Sequence, residues 1–336
     1  MSKKNDFSVG LIGRTKWLIT TGKLLNDNGF KIKIIITSKN SDYDKTTPKD
    51  IKKFANEINA DFILTEKINS MKIQNKIKKL KLDLCLSTNN RLILSKELIS
   101  LVKYGILNAH AGDLPRYRGN ANQNWAIIKG EKKIGLSIHF MNEKLDAGDI
   151  IKKKFFKIND ETTIADIYEF LDNEIPRLHL QAAKEIRIGK YKTIKQDEKK
   201  VLRTYPRNRS DGKINWEMNT TDIHKIIRAS GYPFFGAYTY LKNEKLIILE
   251  AKKEYPKFSY FSQPGQITER RKNGEVTVAC SDGFLVLTKV KFNDKIYEKP
   301  SEIITSLYTR LGMDIEEEIE KIYEKLNKIT KKLAID

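Results

Sequence analysis

Residues 7–38 read FSVGLIGRTKWLITTGKLLNDNGFKIKIIITS, and this stretch decides the fold. Residues 7–13 are a short apolar run that ends in a glycine turn, which is typical of a buried strand. Residues 20–28 have the spacing of a helix, and residues 30–38 form a second strand-like run rich in isoleucine. A strand, a helix and a strand at this spacing indicate a parallel βαβ unit.

The same alternation continues along the first half of the chain. Further strands are predicted at residues 61–64, 82–87, 105–110 and 134–141, and further helices at residues 48–58, 71–82, 95–102 and 163–189. This pattern predicts an α/β fold with a Rossmann-like parallel sheet and helices on both faces. In such sheets ligands bind beyond the carboxyl ends of the strands.

The second half of the chain changes character. Short strand-like runs separated by Gly and Asn turns occupy residues 237–241, 246–252, 265–268, 276–280 and 284–290. Such runs predict a small β-barrel, OB-like in type. The expected division is a catalytic domain at 1–189, a polar linker at 190–203, a β-barrel-like domain at 204–312 and a terminal helix at 313–336.

The composition narrows the functional classes. The chain has 336 residues, of which 40% are hydrophobic and 32% charged, so it can bury a core and is neither disordered nor fibrous. No apolar run approaches the roughly 20 residues of a membrane span, and the run at residues 7–12 is too short for a secretory signal. Cys85 and Cys280 lie far apart in apolar segments, which favours buried thiols in a reducing cytoplasm. We therefore expect a cytoplasmic protein.

The formal net charge of +20 raises the question of nucleic acid binding. The lysines are scattered along the chain and do not form a cluster. An anionic small substrate is therefore at least as compatible with the charge, and we favour it over nucleic acid.

Three polar residues are candidates for the chemistry. Asn108 and His110 flank Ala109 at the end of the predicted strand 105–110, and Asp146 follows within LDAGD, residues 145–149. An amide, an imidazole and a carboxylate suit direct acyl transfer to an amine, in which the enzyme stabilises an oxyanion and moves protons. Asn108 and Asp146, each taken alone, also fit a simpler role, because Asn and Asp are common turn formers.

The other histidines, at positions 139, 179 and 224, have no partners at the spacing of metal ligands. We interpret them as structural or surface groups. His139 could nevertheless adjoin the site, because it lies on the strand that precedes the Asp146 loop.

Residues 108–119 read NAHAGDLPRYRG and residues 146–150 read DAGDI. Together these segments resemble the signatures of the folate-dependent formyltransferases, and the resemblance extends over roughly residues 7–312. It implies that Asn108 donates a hydrogen bond to the formyl oxyanion and that His110 lies against the same oxygen. Asp146 would orient the imidazole and accept a proton from the attacking amine.

The resemblance also implies the ligands. The formyl donor would be N10-formyltetrahydrofolate, and no metal would be needed. The donor pocket implied by the family comprises Asn90, Arg91, Leu92, Ile93, Leu94, Met141 and Asp146. The implied substrate contacts are Gly13, Thr15, Lys16, Arg118 and Trp125.

Two branches of the family compete for the acceptor. The methionyl-tRNA enzymes usually carry RGAAPIQ after Leu-Pro and a basic loop in the first domain, whereas residues 118–125 here read RGNANQNW. The run PFFGA at residues 233–237 is closer to the nucleotide-sugar branch. We therefore expect a nucleotide-linked amino-deoxysugar as acceptor, for a surface glycan such as O-antigen or glycosylated flagellin.

Other possibilities stay open. Methionyl-tRNA formylation is the first alternative, and a non-catalytic relative that binds a nucleotide or RNA is the second. The resemblance implies a homodimer, for which the terminal helix offers a surface, and no membrane partner.

Overall fold

The computed structural model describes residues 7–42, 44–313 and 315–333. The chain divides into two compact units, Met1–Arg207 and Asn208–Asp336. Residues 1–6 of the predicted first domain, and residues 314 and 334–336 of the predicted terminal helix, lie outside the described residues.

The first unit alternates strands and helices as predicted. In chain order its elements are β1 (Ser8–Gly13), α1 (Thr15–Asp27), β2 (Lys31–Thr37), α2 (Pro48–Glu57), β3 (Asp61–Leu64), α3 (Met71–Leu80), β4 (Leu84–Thr88), α4 (Lys96–Ser100), β5 (Ile106–His110), β6 (Arg118–Gly119), α5 (Asn122–Ile128), β7 (Lys133–Phe140), β8 (Ile150–Lys157), α6 (Ile164–Arg187) and β9 (Arg203–Thr204).

Seven of these strands form one sheet in the order β3-β2-β1-β4-β5-β7-β8. The five strands from β3 to β5 pair in parallel, whereas β7 is antiparallel to both β5 and β8. The predicted parallel α/β sheet is therefore confirmed. The carboxyl ends of its parallel strands meet at one edge, where open α/β sheets bind their ligands.

Local sequence explains where the helices begin. Thr47 precedes α2 and Thr163 precedes α6, and each forms a capping box with an Asp three residues later. The helix α1 begins at Thr15, five residues before the sequence prediction. The close approach of Gly13 to β4 requires a glycine just before this helix, because a Cβ on Gly13 would lie 1.9 Å from the carbonyl oxygen of Thr88.

The segment 190–203, predicted to be a linker, hydrogen-bonds to the first unit. Ile194 exchanges two backbone hydrogen bonds with Ile150, and β9 pairs in parallel with β6. The division between the units falls after Arg207. The polarity of this segment predicted that it is exposed. It did not predict the backbone hydrogen bonds to Ile150 and β6.

The second unit contains α7 (Thr220–Ser230), β10 (Ala237–Leu241), β11 (Glu244–Glu254), β12 (Ile267–Arg270), β13 (Val276–Ala279), β14 (Phe284–Phe292), β15 (Lys295–Tyr297) and α8 (Ile315–Leu333). The strands form an antiparallel sheet in the order β10-β11-β14-β13-β12, with β15 paired to β14. Residues 309–312 bond to both edges of this sheet: Ile267 donates to Thr309, and Gly312 donates to Tyr240. The structure thus shows an antiparallel sheet whose two edges are linked by this segment, a link that the predicted small β-barrel requires.

Each unit has a buried apolar core. Both cysteines are buried and unbonded, Cys85 in the first unit and Cys280 in the second. Among the described residues, we find no helix with the length and apolar character of a membrane span.

Candidate active site

The strand β5 presents two polar side chains at its carboxyl end. Asn108 and His110 are separated by one residue, so both face the same side of the sheet. In the antiparallel register between β5 and β7, Asn108 lies directly opposite His139, and His110 lies opposite Ser137. The strand pairing therefore places an amide and two imidazoles in one small area.

The His110 ring contacts two residues that follow it in the chain, one in the next loop and one at the start of α5. Its Nε2 lies 2.6 Å from the carbonyl oxygen of Tyr117 and 3.1 Å from the side-chain amide of Asn122. A carbonyl oxygen only accepts, and its distance is the shorter, so Nε2–H of His110 donates to Tyr117. This arrangement needs glycine at position 112, because a Cβ there would lie 2.6 Å from Nε2.

The Asp146 carboxylate completes the cluster. Its Oδ1 lies 3.5 Å from Nδ1 of His110 and 3.8 Å from Nε2 of His139, while Oδ2 accepts a hydrogen bond of 3.0 Å from the backbone of Gly119. Asp146 has a φ of +52°, in the left-handed region that Asp tolerates better than most residues. The structure thus brings together the predicted trio of Asn108, His110 and Asp146.

His139 belongs to the same cluster, although it was predicted only as a possible neighbour. Its Nδ1–H donates to the carbonyl oxygen of Phe140 at 2.9 Å, so its Nε2 is an acceptor. Nε2 receives the side-chain N–H of Asn108 at 3.3 Å. Burial, together with the nearby imidazole of His110, lowers the pKa of His139 to about 4, so this histidine is neutral at pH 7.

The loop that carries Asp146 is fastened from outside the predicted catalytic domain. The side-chain N–H groups of Gln196 donate to the carbonyl oxygens of Asp146 and Gly148, both at 2.8 Å. The other end of the Gln196 amide accepts from the guanidinium of Arg118 at 2.9 and 3.0 Å. Arg118 also forms an ion pair of 2.7 Å with Glu198.

The expected donor pocket lies beside this cluster, after the end of β4. Leu94 is buried, and Leu92 and Met141 pack in part on the same apolar cluster. The side-chain amide of Asn90 donates to the carbonyl oxygen of Leu92 at 2.7 Å and accepts from its N–H at 3.1 Å. The side-chain amide of Asn90 therefore bonds to both backbone groups of Leu92. The edge of a pterin ring carries the same pair of one donor and one acceptor.

The remaining predicted donor residues are less enclosed. Arg91 forms an ion pair with Glu66, and the side chain of Ile93 is 77% exposed. The carbonyl oxygen of Ile93 accepts a hydrogen bond of 2.9 Å from Asn69.

The predicted substrate contacts differ in their exposure and in the bonds that they already form. Gly13 and Thr15 lie at the turn between β1 and α1, and the exposed Lys16 forms an ion pair of 2.5 Å with Asp172. Trp125 on α5 is half-buried and donates its indole N–H to the carbonyl oxygen of Tyr205. Arg118 is 3% exposed and fully engaged with Gln196 and Glu198, so direct contact with a substrate would require breaking those bonds.

Several supporting residues of the site were not predicted from the sequence. Asn122 contacts the His110 ring and accepts a hydrogen bond from the Thr204 hydroxyl on β9. Gln196 lies in a polar stretch with no recognisable pattern, so no sequence signal identified it. The position of His139 on the strand before the Asp146 loop indicated that it could lie near the site. The register between β5 and β7 places it directly opposite Asn108.

Comparisons with known proteins agree with this architecture. The formyl transferase family matches residues 11–182, and the formyl transferase C-terminal domain matches residues 207–307. The chain belongs to the formyl transferase family. It is thus a formyltransferase, an enzyme that transfers formyl groups.

This formyltransferase resembles two groups of relatives. Methionyl-tRNA formyltransferase of Fusobacterium nucleatum is 32% identical over 262 residues, which cover 78% of this chain and 84% of that protein. The methionyl-tRNA formyltransferase of Bacillus cytotoxicus is 28% identical over 93% of this chain and 96% of its own length.

The solved structures that share the fold include enzymes with sugar acceptors. WlaRD, described as a sugar 3N-formyl transferase and solved with dTDP and 5-N-formyl-THF, has a TM-score of 0.64 and 19% identity over 87% of this chain and 99% of its own. The N-formyltransferase from Helicobacter canadensis, in complex with folinic acid and dTDP-3-aminofucose, has a TM-score of 0.64 and 19% identity, covering 83% of this chain and 97% of its own. At this level of identity the likeness establishes the shared fold.

Proposed function

We propose that this formyltransferase moves a formyl group from N10-formyltetrahydrofolate to the amine of a nucleotide-linked amino-deoxysugar. One observation carries the reaction type: Oδ1 of Asp146 lies 3.5 Å from Nδ1 of His110 and 3.8 Å from Nε2 of His139, the atom to which Asn108 donates. These groups provide an oxyanion donor, an imidazole and a carboxylate, as amide formation on an amine requires.

The tautomer of His110 determines how many protons His110 and Asp146 hold between them. With Nε2–H donating to Tyr117, a neutral ring would turn the lone pair of Nδ1 toward the carboxylate of Asp146, 3.5 Å away. Two acceptors at this distance repel each other. We therefore propose that Nδ1 of His110 and the carboxylate of Asp146 share one proton.

Two hydrogen-bond donors then stabilise the negative charge that develops on the formyl oxygen. As the amine nitrogen attacks the formyl carbon, the developing oxyanion accepts hydrogen bonds from one N–H of Asn108 and from Nδ1–H of His110, and both protons stay on their nitrogens. Asp146 accepts the proton that the amine loses. When the bond between the formyl carbon and N10 breaks, the His110–Asp146 pair returns one proton to N10, and the proton count balances.

The donor supplies an activated formyl carbonyl when it is bound. Leu92, Leu94 and Met141 would hold the flat pterin ring against apolar side chains, and the side chain of Asn90 would rotate away from the Leu92 backbone. The backbone N–H and carbonyl of Leu92 match a heterocycle edge, since they are now bonded to an amide with the same pattern.

The charge around the site supports a small acceptor. In the loop 38–47, Asp42 and Asp44 balance Lys39 and Lys45, and the loop 141–149 carries three acidic residues against one lysine. Binding of tRNA relies on several phosphate contacts from Arg and Lys. A nucleotide diphosphate needs fewer donors. The helix start at Thr15 would offer backbone N–H groups, and Lys16 would offer its ammonium after leaving its ion pair with Asp172.

Formylation of methionyl-tRNA is the second candidate. The curated relatives at 28–36% identity are methionyl-tRNA formyltransferases, and the chain has a formal charge of +20. In this case the basic residues would contact the acceptor arm, and activity would fall steeply with salt.

A direct competition distinguishes the two acceptors. The protein is incubated with N10-formyltetrahydrofolate, methionyl-tRNA and a panel of UDP- and dTDP-linked 3-amino and 4-amino deoxysugars, and products are identified by mass. We expect one nucleotide sugar to gain one formyl group, and Asp146→Asn, which preserves shape but removes the base, to abolish that gain. Formylation of methionyl-tRNA alone would support the second candidate, and no formyl transfer to any amine would refute both.

A further inference from the structure

The terminal helix α8 exposes a stripe of apolar side chains. Ile315, Ile319, Ile322, Leu326 and Ile329 are between 46% and 58% exposed. Of the α8 side chains that the structure describes, only Glu318 is half-buried, and it hydrogen-bonds to Asn243 of the same unit. An apolar stripe of this kind, continuous over the helix, is a surface for interaction.

The spacing of the stripe indicates the shape of its partner. The apolar positions alternate by four and three residues, which gives an average repeat of 3.5. A strict 3.5-residue repeat forms a narrow seam that fits one other helix in a left-handed coiled coil. A helix that packs on a globular body usually has a wider apolar face.

The charge of α8 is polarised along its length. Residues 316–320 contain four glutamates and no cation, and residues 325–332 contain four lysines and no acid. Two such helices in parallel would place glutamates beside glutamates and lysines beside lysines. In the antiparallel orientation each acidic half lies beside a basic half, so the helix is complementary to itself.

We infer that α8 pairs in antiparallel fashion with α8 of a second copy of this chain. Around a two-fold axis beside residue 324, Ile319 would pack on Ile329 of the partner subunit, and Ile322 on Leu326 of the partner subunit. The same contacts repeat by symmetry, as an isologous interface requires. A lone helix of this length is marginal in water, so pairing also stabilises α8 itself.

The oligomeric state of the full chain tests the pairing. In sedimentation equilibrium over a range of concentrations, we expect the wild-type protein to approach twice the monomer mass. Leu326→Asp places a carboxylate in the seam and should leave the monomer mass at every concentration. Asn327→Asp introduces the same side chain one residue away and off the seam, and should dimerise like the wild type. A monomeric wild type, or a Leu326→Asp variant that dimerises equally well, would overturn the inference.

Disulfide trapping tests the orientation. Antiparallel pairing brings position 316 close to position 330 of the partner, so a mixture of Glu316→Cys and Thr330→Cys proteins should form a mixed disulfide-linked dimer. Glu316→Cys alone should not cross-link to itself, because the two copies of that position lie at opposite ends of the pair. Efficient cross-linking of Glu316→Cys to itself would show a parallel pair and contradict the proposal.

Discussion

The amide nitrogen of Asn108 lies 3.3 Å from Nε2 of His139, across the antiparallel pair β5 and β7. Since Nδ1 of His139 is committed to the carbonyl of Phe140, Nε2 accepts and sets the direction in which the Asn108 amide faces. A second N–H of the amide is then left for a formyl oxygen. The buried, neutral histidine therefore acts as an orienting group for a neighbouring donor.

Substitution of this pair should show that His139 acts through Asn108. We expect Asn108→Ala to lower kcat by about 100-fold or more, as loss of an oxyanion donor does in other acyl transfers. His139→Ala should lower kcat by about tenfold, which corresponds to about 1.4 kcal/mol in the barrier. The double variant should be no slower than Asn108→Ala, because neighbours that act as one unit are not additive.

Steady-state formyl transfer by the folded fraction of each variant measures these effects. His179→Ala is the matched control, since His179 is also a buried histidine but bonds to the backbone of Ser87. It should lose stability while its folded fraction retains kcat. Fully additive losses in the Asn108 and His139 variants would mean that the two residues act independently.

Gln196 should behave as a positioning residue for the Asp146 loop. Its amide binds the carbonyls of Asp146 and Gly148 on one side and Arg118 on the other. Gln196→Glu keeps the contact with Arg118 but sets a carboxylate against two carbonyl oxygens, so kcat should fall by at least about tenfold. Because most of the predicted donor contacts lie on another segment, residues 90–94, the KM for the formyl donor should change less than kcat.

Gln196→Ala separates loss of the bond from introduced repulsion. We expect it to lower kcat less than Gln196→Glu, with the same small change in KM. Equal kcat for all three proteins would indicate that the Asp146 loop holds its conformation without this contact.

The sequence was informative where the physical constraint is local. Strand and helix alternation identified the parallel sheet, and Asn108 and His110 were predicted from their place at the end of an apolar strand. Asp146 alone fits a simple turn, and it was predicted from the resemblance of residues 108–119 and 146–150 to the formyltransferase signatures. Each of these signals is contained within a few adjacent residues.

Features that depend on distant pairing could not be predicted in this way. His139 enters the site through the register between β5 and β7, which its own segment does not specify. Gln196 acts on backbone carbonyls about 50 residues earlier, and such bonds leave no pattern of residue types. Residues 309–312 join two sheet edges by backbone bonds alone, so they carried no strand signal.

Two buried histidines should make the protein sensitive to mild acid. Burial is the main cause that lowers the pKa of both His139 and His179 from 6.5 to about 4. As pH falls through 6.5, the unfolded chain binds protons that the folded protein does not bind, so stability is present above pH 6.5 and is lost below it. Between pH 7 and pH 5, each histidine should cost up to about 2 kcal/mol of unfolding free energy.

Urea denaturation at pH 7 and pH 5 measures this loss. His179→Asn keeps a polar side chain at the buried site but cannot titrate, so its stability should decrease by roughly half as much between the two pH values. A variant with the same pH dependence as the wild type would show that His179 does not contribute. Carboxylates interfere little in this range, since their ordinary pKa values lie near 4.

Glycine 148 should be essential for the position of Asp146. A Cβ at this position would lie 1.8 Å from the carbonyl oxygen of Phe140, a backbone atom that cannot rotate away. Gly148→Ala must therefore shift the loop that carries Asp146, and we expect kcat to fall by about 100-fold or more, since small misplacements of reacting groups have effects of this size.

Gly189→Ala is the matched control: its φ of +68° is unfavourable for alanine, but nothing lies within 4 Å of the added Cβ. That variant should lose about 1–2 kcal/mol of stability and keep its kcat. Wild-type kcat in Gly148→Ala would mean that the loop tolerates the shift and that the geometry of Asp146 does not limit formyl transfer.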